Sequence, residues 1–282
     1  MAGGKAHARR SLREIVALNL RATIARTYVR IVGSIREPAW VVSDAVFPTL
    51  GMCSFVLLYR ALGAPKSFEA LAVLGGILAT YWINVLWGMG AQLYWEKQQG
   101  QLQLYFVAPC SRMSILTGMA VGGLAMTTVR SLFGILFGFG VFGVRIESFD
   151  PLRLLAVFFA TMGALYALGM TLASAFLLFG RAAWHVCNAL QEPVFFLSGL
   201  YFPLRTLGAL GMVAAGLIPL GLGVDAMRQV LLGAKARPLL PVGIEVLILI
   251  GFMILFLWLA HLSLAHLERL SKREGRLTQR WQ

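Results

Sequence analysis

Charge is scarce in this sequence, and acidic charge is scarcer still. Only 13% of the 282 residues are charged, against about 25% in ordinary soluble domains. Twelve are Asp or Glu, against twenty-five Lys or Arg, for a formal net charge of +13, while 59% of the residues are hydrophobic and the mean hydropathy is +0.76. A soluble domain is excluded, and a polytopic membrane protein is expected. The basic excess does not point to nucleic acid, because the arginines cluster at the ends of apolar segments instead of covering one folded surface. Cysteine is nearly absent. Cys53, Cys110 and Cys187 stand apart with no CxxC spacing, so they read as small apolar fillers, neither staples nor metal ligands. His185, His261 and His266 fall near the ends of spans without an acidic cluster, so no metal site is expected and headgroup-facing positions are. No G-x-x-x-x-G-K-[ST] phosphate loop occurs. The nearest stretch, Gly63 to Ser67 (GAPKS), lacks the glycine spacing of a phosphate cradle, so the chain cannot hydrolyse ATP alone. No short apolar core with a cleavage site follows the basic start, and no cleaved signal peptide is expected.

Apolar runs are abundant. A crossing needs about 20 apolar residues, and six segments meet that length, near 39–59, 70–95, 113–142, 153–179, 183–202 and 242–264. A seventh candidate, 204–224, carries five glycines, with Pro203 before it and Pro219 within it. Charge argues for six. With six spans, sixteen Lys or Arg lie on the side of the N-terminus, the 96–112 loop, Arg181 and the 265–282 tail, against eight on the other side. Both termini are therefore expected to be cytoplasmic. Residues 1–10 read as an unstructured start. From Ser11, Leu20, Ile24, Tyr28, Ile31 and Ile35 recur at helical spacing with Arg26 and Arg30 opposite, predicting an interfacial amphipathic helix over 11–37, ended by Pro38.

A polar island, Glu96 to Gly118 (EKQQGQLQLYFVAPCSRMSILTG), interrupts the apolar pattern. Gly100 breaks the preceding helix and Pro109 forbids a continuous one, leaving a short helix pressed against something at the membrane face. Glu96, Gly100, Leu102, Pro109, Ser111, Arg112 and Gly118 fall in the register E-x-x-x-G-T-L-E-x-L-x-x-x-P-x-S-R-x-x-x-x-x-G. In this the chain resembles the membrane subunits of ATP-binding-cassette exporters of the type-2 permease class. Gln101, Gln103 and Tyr105 depart from the usual Thr, acid and Leu. A second stretch, QEPVFFLSGLYFPL followed by IPLGLGVDAMRQVLLG, is similar to the same family's fifth span and extracellular return. Pro193, Ser198, Gly199, Pro203, Pro219, Asp225, Arg228 and Gly233 fill its positions.

The resemblance implies an all-α membrane protein, a single transmembrane domain over 1–282 with six spans. The 11–37 segment would be an elbow helix, and 96–112 a cytoplasmic coupling segment in which Glu96, Gly100, Leu102, Tyr105, Pro109, Ser111 and Arg112 meet a separate ATPase subunit, Glu96 and Arg112 as the contacting charges. ATP and Mg would be bound by that partner. Residues 203–240 would form an extracellular re-entrant hairpin, with Pro193, Gly199, Pro203, Pro219, Asp225 and Arg228 as its gate. Helix-breaking residues at membrane depth fit this, since freed backbone is tolerated only in protein or a watery cavity. A second permease chain, identical or paralogous, would complete the path, lined by the first, second and fifth spans.

Four ionisable residues, Asp44, Arg130, Glu192 and Glu245, fall within spans, and such groups usually face the protein interior or a watery path. Arg130 and Glu245 match in depth and are expected to pair. Glu192 borders the path, caps the backbone freed at Pro193, or pairs with Arg130. Asn84, Glu192, Phe195 and Phe196 are the candidate substrate contacts, and mid-span Trp82 lines that path or faces lipid. A hydrophobic or amphipathic small molecule, drug-like or lipid, is the expected cargo. The alternatives are a polysaccharide or lipid-linked glycan, and, from another class, a proton-coupled secondary transporter, against which the absence of inverted repeats counts. The dense small residues of the third and fourth spans predict close helix packing.

Overall fold

The computed structural model describes residues 11–144, 150–179, 182–233 and 238–274, which form helices joined by short turns, with no strand among them. The expected unstructured start, Arg181 and the tail beyond Glu274 lie outside the described residues.

Helix α1 (Leu12–Arg36) begins at a capping box in which Ser11 and Glu14 satisfy each other's backbone N–H groups. Pro38 ends it and opens α2 (Pro38–Ala61). The next span, Lys66–Gln98, starts as α3 (Lys66–Ile83), passes through a π-helical segment (Asn84–Gly90) and finishes as α4 (Gln92–Gln98). A short α5 (Leu102–Val107) follows, then α6 (Arg112–Ile135), whose last turns, Leu136–Val141, are again π-helical. Asp150 caps α7 (Pro151–Phe179) through the Arg153 N–H at 3.1 Å. Helix α8 (Ala182–Leu197) contains Pro193. A 3-10 turn (Leu204–Leu207), α9 (Gly208–Gly216), α10 (Pro219–Leu232) and the long α11 (Val242–Glu274) complete the chain.

The span Lys66–Gln98 is the centre of the bundle: 78% of its most apolar window is buried, against 22% for α2 and 11% for α11. Leu78, Trp82, Val85, Leu86 and Met89 form the core with Met162, Leu165 and Met170 of α7. Close approach follows from small residues. A Cβ on Gly169 would lie 2.9 Å from Met89, and one on Gly163 would lie 2.6 Å from Met253 of α11, which bears out the packing expected of these glycines.

Among the described residues, five helical spans are long and apolar enough to cross a membrane: Pro38–Ala61, Lys66–Gln98, Arg112–Val141, Pro151–Leu177 and Val242–Leu267. The expected fifth span, 183–202, is shorter than its sequence suggests. Over the described residues helix α8 has 16 residues, about 24 Å at 1.5 Å per residue, and it stops short of residue 202 at a turn where Gly199 takes φ +57°. The 204–232 stretch forms a helix pair bent by 115° between α9 and α10. Pro219 sets the first turn of α10 there, because its fixed φ suits a helix start.

Candidate functional site

The polar island folds into a tight helix–turn–helix. Gly100, at φ +76° with nothing within 4 Å of where a Cβ would stand, supplies the left-handed turn that a side chain disfavours. Ala108 is extended before Pro109 and Ser111 precedes the first turn of α6. Helix α5 then presents two faces. Leu102, 4% exposed, is buried in the core with Leu93, Ile115 and Leu116. Leu104 and Val107, 69% and 84% exposed, point outward.

Helix α1 clasps this segment from both sides. Asn19, Thr23, Arg26, Thr27 and Arg30 form one polar stripe. On the α6 side, the Asn19 Oδ1 accepts from the Ser111 N–H at 2.8 Å, and the hydroxyls of Thr23 and Thr27 donate to the carbonyls of Ser114 and Gly118, each at 3.1 Å. Gly118 and Gly122 permit this approach, since a Cβ on either would fall within 3 Å of α1. On the α4 side, Arg26 is paired with Glu96, whose Oε1 also accepts from the Gln92 Nε2 at 2.9 Å. The Arg26 guanidinium lies over the Tyr105 ring, 5.4 Å from its centroid, a favourable cation–π geometry. Arg30 donates to the Gln92 Oε1 and to the Gly88 carbonyl, both at 2.8 Å. The latter lies in the π-helical segment, where the altered hydrogen-bond ladder admits an outside donor.

This corrects two expectations. Arg26 and Arg30 of α1 face protein, whereas its apolar residues Leu20, Ile24, Tyr28 and Ile35 are each about 60% exposed. Amphipathic spacing shows which residues share a face, not what covers it. Glu96, expected as a charge at a partner's surface, is 2% exposed. It acts from inside, tying α4 to α1. Leu102 is likewise a core residue of its own chain. Pro109 and Ser111 are exposed, while Arg112 is half-buried beside Tyr105 and Leu264. Burial first, and the neighbouring Glu96 charge second, push the Tyr105 phenol well above its ordinary value, so it stays neutral. Burial, then Arg26 and Arg130, lower that of Arg30, with Glu96 opposing. Val107 and the Asn19, Thr23 and Thr27 members of the α1 stripe were missed from sequence. The four-residue spacing of Asn19, Thr23 and Thr27 was a signal that could have found the stripe.

The residues inside the spans pair differently from expectation. Arg130 donates to Asp44 of α2 at 2.8 Å, and not to Glu245 or Glu192. Glu245, fully buried, accepts from the Gln229 Nε2 at 2.7 Å. Matched depth did not suffice, because Asp44 and Arg130 lie on directly packed helices. Asn84 is buried, its Oδ1 accepting from the Tyr166 hydroxyl at 2.9 Å, and Trp82 is 2% exposed within the core. In this conformation neither faces lipid or an open path. Glu192, Pro193 and Phe196 lie on the exposed face of α8, with Gln191 donating to Glu192 at 3.1 Å, and Phe195 is half-buried.

Arg228, 1% exposed, gathers the turn after α8. It donates to the carbonyls of Gly199 at 2.5 Å, Leu200 at 3.0 Å and Phe202 at 3.2 Å. These carbonyls, freed where the helix stops, need a donor when buried. Asp225 accepts from the Leu239 N–H at 2.7 Å. Gly199 and Arg228 are thus brought together as a structural unit. Pro203 opens the 3-10 turn beside it, and Pro219 starts the helix that carries Arg228. Among the described residues no cluster of three or more His, Cys, Asp or Glu side chains is placed to hold a metal ion.

The family model described as ABC-2 type transporter matches residues 20–232, well over half of the chain. The chain belongs to the ABC-2 type transporter family. It is a multi-pass membrane permease, and the family implies an ATP-binding-cassette ATPase partner. No curated protein matches it. The ABC-2 match takes in most of α1, the whole polar island and the unit around Arg228, and ends at the last residue of α10.

Proposed function

We propose that this ABC-2 permease is the membrane subunit of an ATP-driven exporter of hydrophobic or amphipathic small molecules, drug-like or lipid, and that the ATPase subunit docks on α5. The observation that carries this is the division of α5 into a buried face and an exposed pair, Leu104 and Val107, on a segment that α1 clasps at both ends. Exposed apolar side chains on a rigidly held helix suit a protein partner. Mg and ATP belong to that partner, whose closure would push the clasped segment and tilt α3 and α6, to which it is continuous. Helix α1, with apolar residues outward, acts as the elbow in the membrane interface, and the bent pair α9–α10 forms the re-entrant hairpin away from the coupling side. The exposed face of α8 carries Glu192 and Phe196. A carboxylate is costly against lipid, which supports a second permease chain completing the path along α8, with Glu192, Phe195 and Phe196 toward an amphipathic cargo.

The test is co-expression with an ATP-binding-cassette ATPase subunit, followed by ATP hydrolysis in lipid discs. The double change Leu104→Asp and Val107→Asp is expected to lower ATPase co-purification at least tenfold while the thermal midpoint of the permease holds. Unchanged co-purification would move the docking site elsewhere. Transport that follows a proton gradient and ignores ATP would sink the ATP-driven reading.

A further inference from the structure

A cavity of about 360 Å³ lies between α3, α6, α7 and α10, with no residue of the coupling segment or of α8 in its wall. Most of its wall is aliphatic or aromatic, and the polar exceptions are Tyr81, Thr128, Ser131 and Arg228. These exceptions are largely satisfied by protein. The Tyr81 hydroxyl reaches those of Thr128 at 3.1 Å and Ser131 at 3.3 Å, and both of the latter donate to backbone carbonyls at 2.8 Å. Arg228 commits both terminal nitrogens to the carbonyls after α8. Water needs two to four polar partners to settle in a cavity, and this wall offers it few.

Depth identifies what fits. Along α3 the lining runs from Ala70 to Tyr81, a rise of about 16 Å. Tyr81 lies near the middle of the Lys66–Gln98 span, and Ala70 toward the end away from the coupling segment. The cavity therefore covers the half of the membrane opposite that segment, close to one leaflet's share of a hydrocarbon core of about 30 Å. Its mouth carries Leu132 of α6 and Leu155 of α7, more than half exposed. Its volume is more than twice that of the roughly 150 Å³ apolar cavity that takes up benzene, enough for a chain on the order of a dozen carbons. We infer that this slot holds one acyl chain of a glycerolipid from the leaflet opposite the coupling segment, entering between α6 and α7 with its methyl end toward Tyr81. The inference does not rest on ATP-driven transport.

The test uses the full chain in lipid discs containing phosphatidylcholine spin-labelled near the end of one acyl chain. The spectrum is expected to contain a strongly immobilised component of about one lipid per chain, distinct from boundary lipid. Leu132→Trp and Leu155→Trp, which block the mouth, should each lower that component at least twofold. Leu50→Trp, on an exposed position of α2, should leave it unchanged. A component untouched by both mouth variants, or equally reduced by the α2 variant, overturns the assignment. Should the mouth variants fail to fold, the wild type still decides. After delipidation, native mass spectrometry should find one glycerolipid retained per chain, and none retained would overturn it.

Discussion

Arg26 and Glu96 meet across seventy residues of sequence, and their side chains are 11% and 3% exposed. Breaking a buried pair by removing one partner leaves an uncompensated charge and costs about 3 kcal/mol or more. Glu96→Gln is therefore expected to lower the thermal midpoint of the purified permease clearly, and Arg26→Gln to do the same. The double variant should lose less than the sum, since each single change already ends the interaction. Additive losses would mean that the two residues act independently. Tyr105, beside this pair, has a raised value, which favours its neutral form in the folded state. Its contribution to stability is thus fully present below the ordinary tyrosine value of about 10 and fades only above it. Between pH 6 and 9 the thermal midpoint of Tyr105→Phe should run parallel to that of wild type, and a divergence within that window would contradict the assignment.

Helix α1 docks on α6 through backbone that glycine leaves bare. A Cβ on Gly118 would sit 2.6 Å from the Thr23 carbonyl oxygen, whereas one on Gly33 would meet nothing within 4 Å. Gly118→Ala should loosen α1, seen as faster hydrogen exchange over residues 19–30, while Gly33→Ala should leave exchange unchanged or slow it, because alanine favours helix. Equal effects would argue against the clasp. Much of this element was legible beforehand: the Ser11 start, the Pro38 stop, and the Gly100 and Pro109 breaks are local chemistry, written where they act. The covering of the arginine stripe was not, because it depends on Glu96, Gln92 and Ser114 arriving from distant sequence. The Asp44–Arg130 pair escaped for the same reason, since the rotation of two spans about their axes cannot be read from the depth of either. Helix α8 escaped differently. Its apolar run continues past Leu197, but Ser198 and Gly199 turn the chain, and hydropathy alone does not register a turn.

At the scale of the whole molecule, the clasp fixes α1 and the 96–112 segment to the same end of the bundle, and the turn before Lys66 belongs at the other. Single cysteines at Ser11 and Gln101, in a background with Cys53, Cys110 and Cys187 replaced, are expected to react with an impermeant maleimide from one side of sealed vesicles, and a cysteine at Lys66 from the opposite side. Labelling of Ser11 and Lys66 from a common side would reject the six-crossing arrangement. The clasp also has a consequence in time. Arg30 waits 58 residues of synthesis for the Gly88 carbonyl, and Asn19 waits 92 for the Ser111 N–H, an interval of roughly 3 to 18 s at ribosomal speeds. Throughout it, α1 can rest on the nascent membrane by its apolar side with the arginines hydrated. The later segment then settles onto a helix already lying in place, so a part of the chain made earlier serves as the cradle for a part made later.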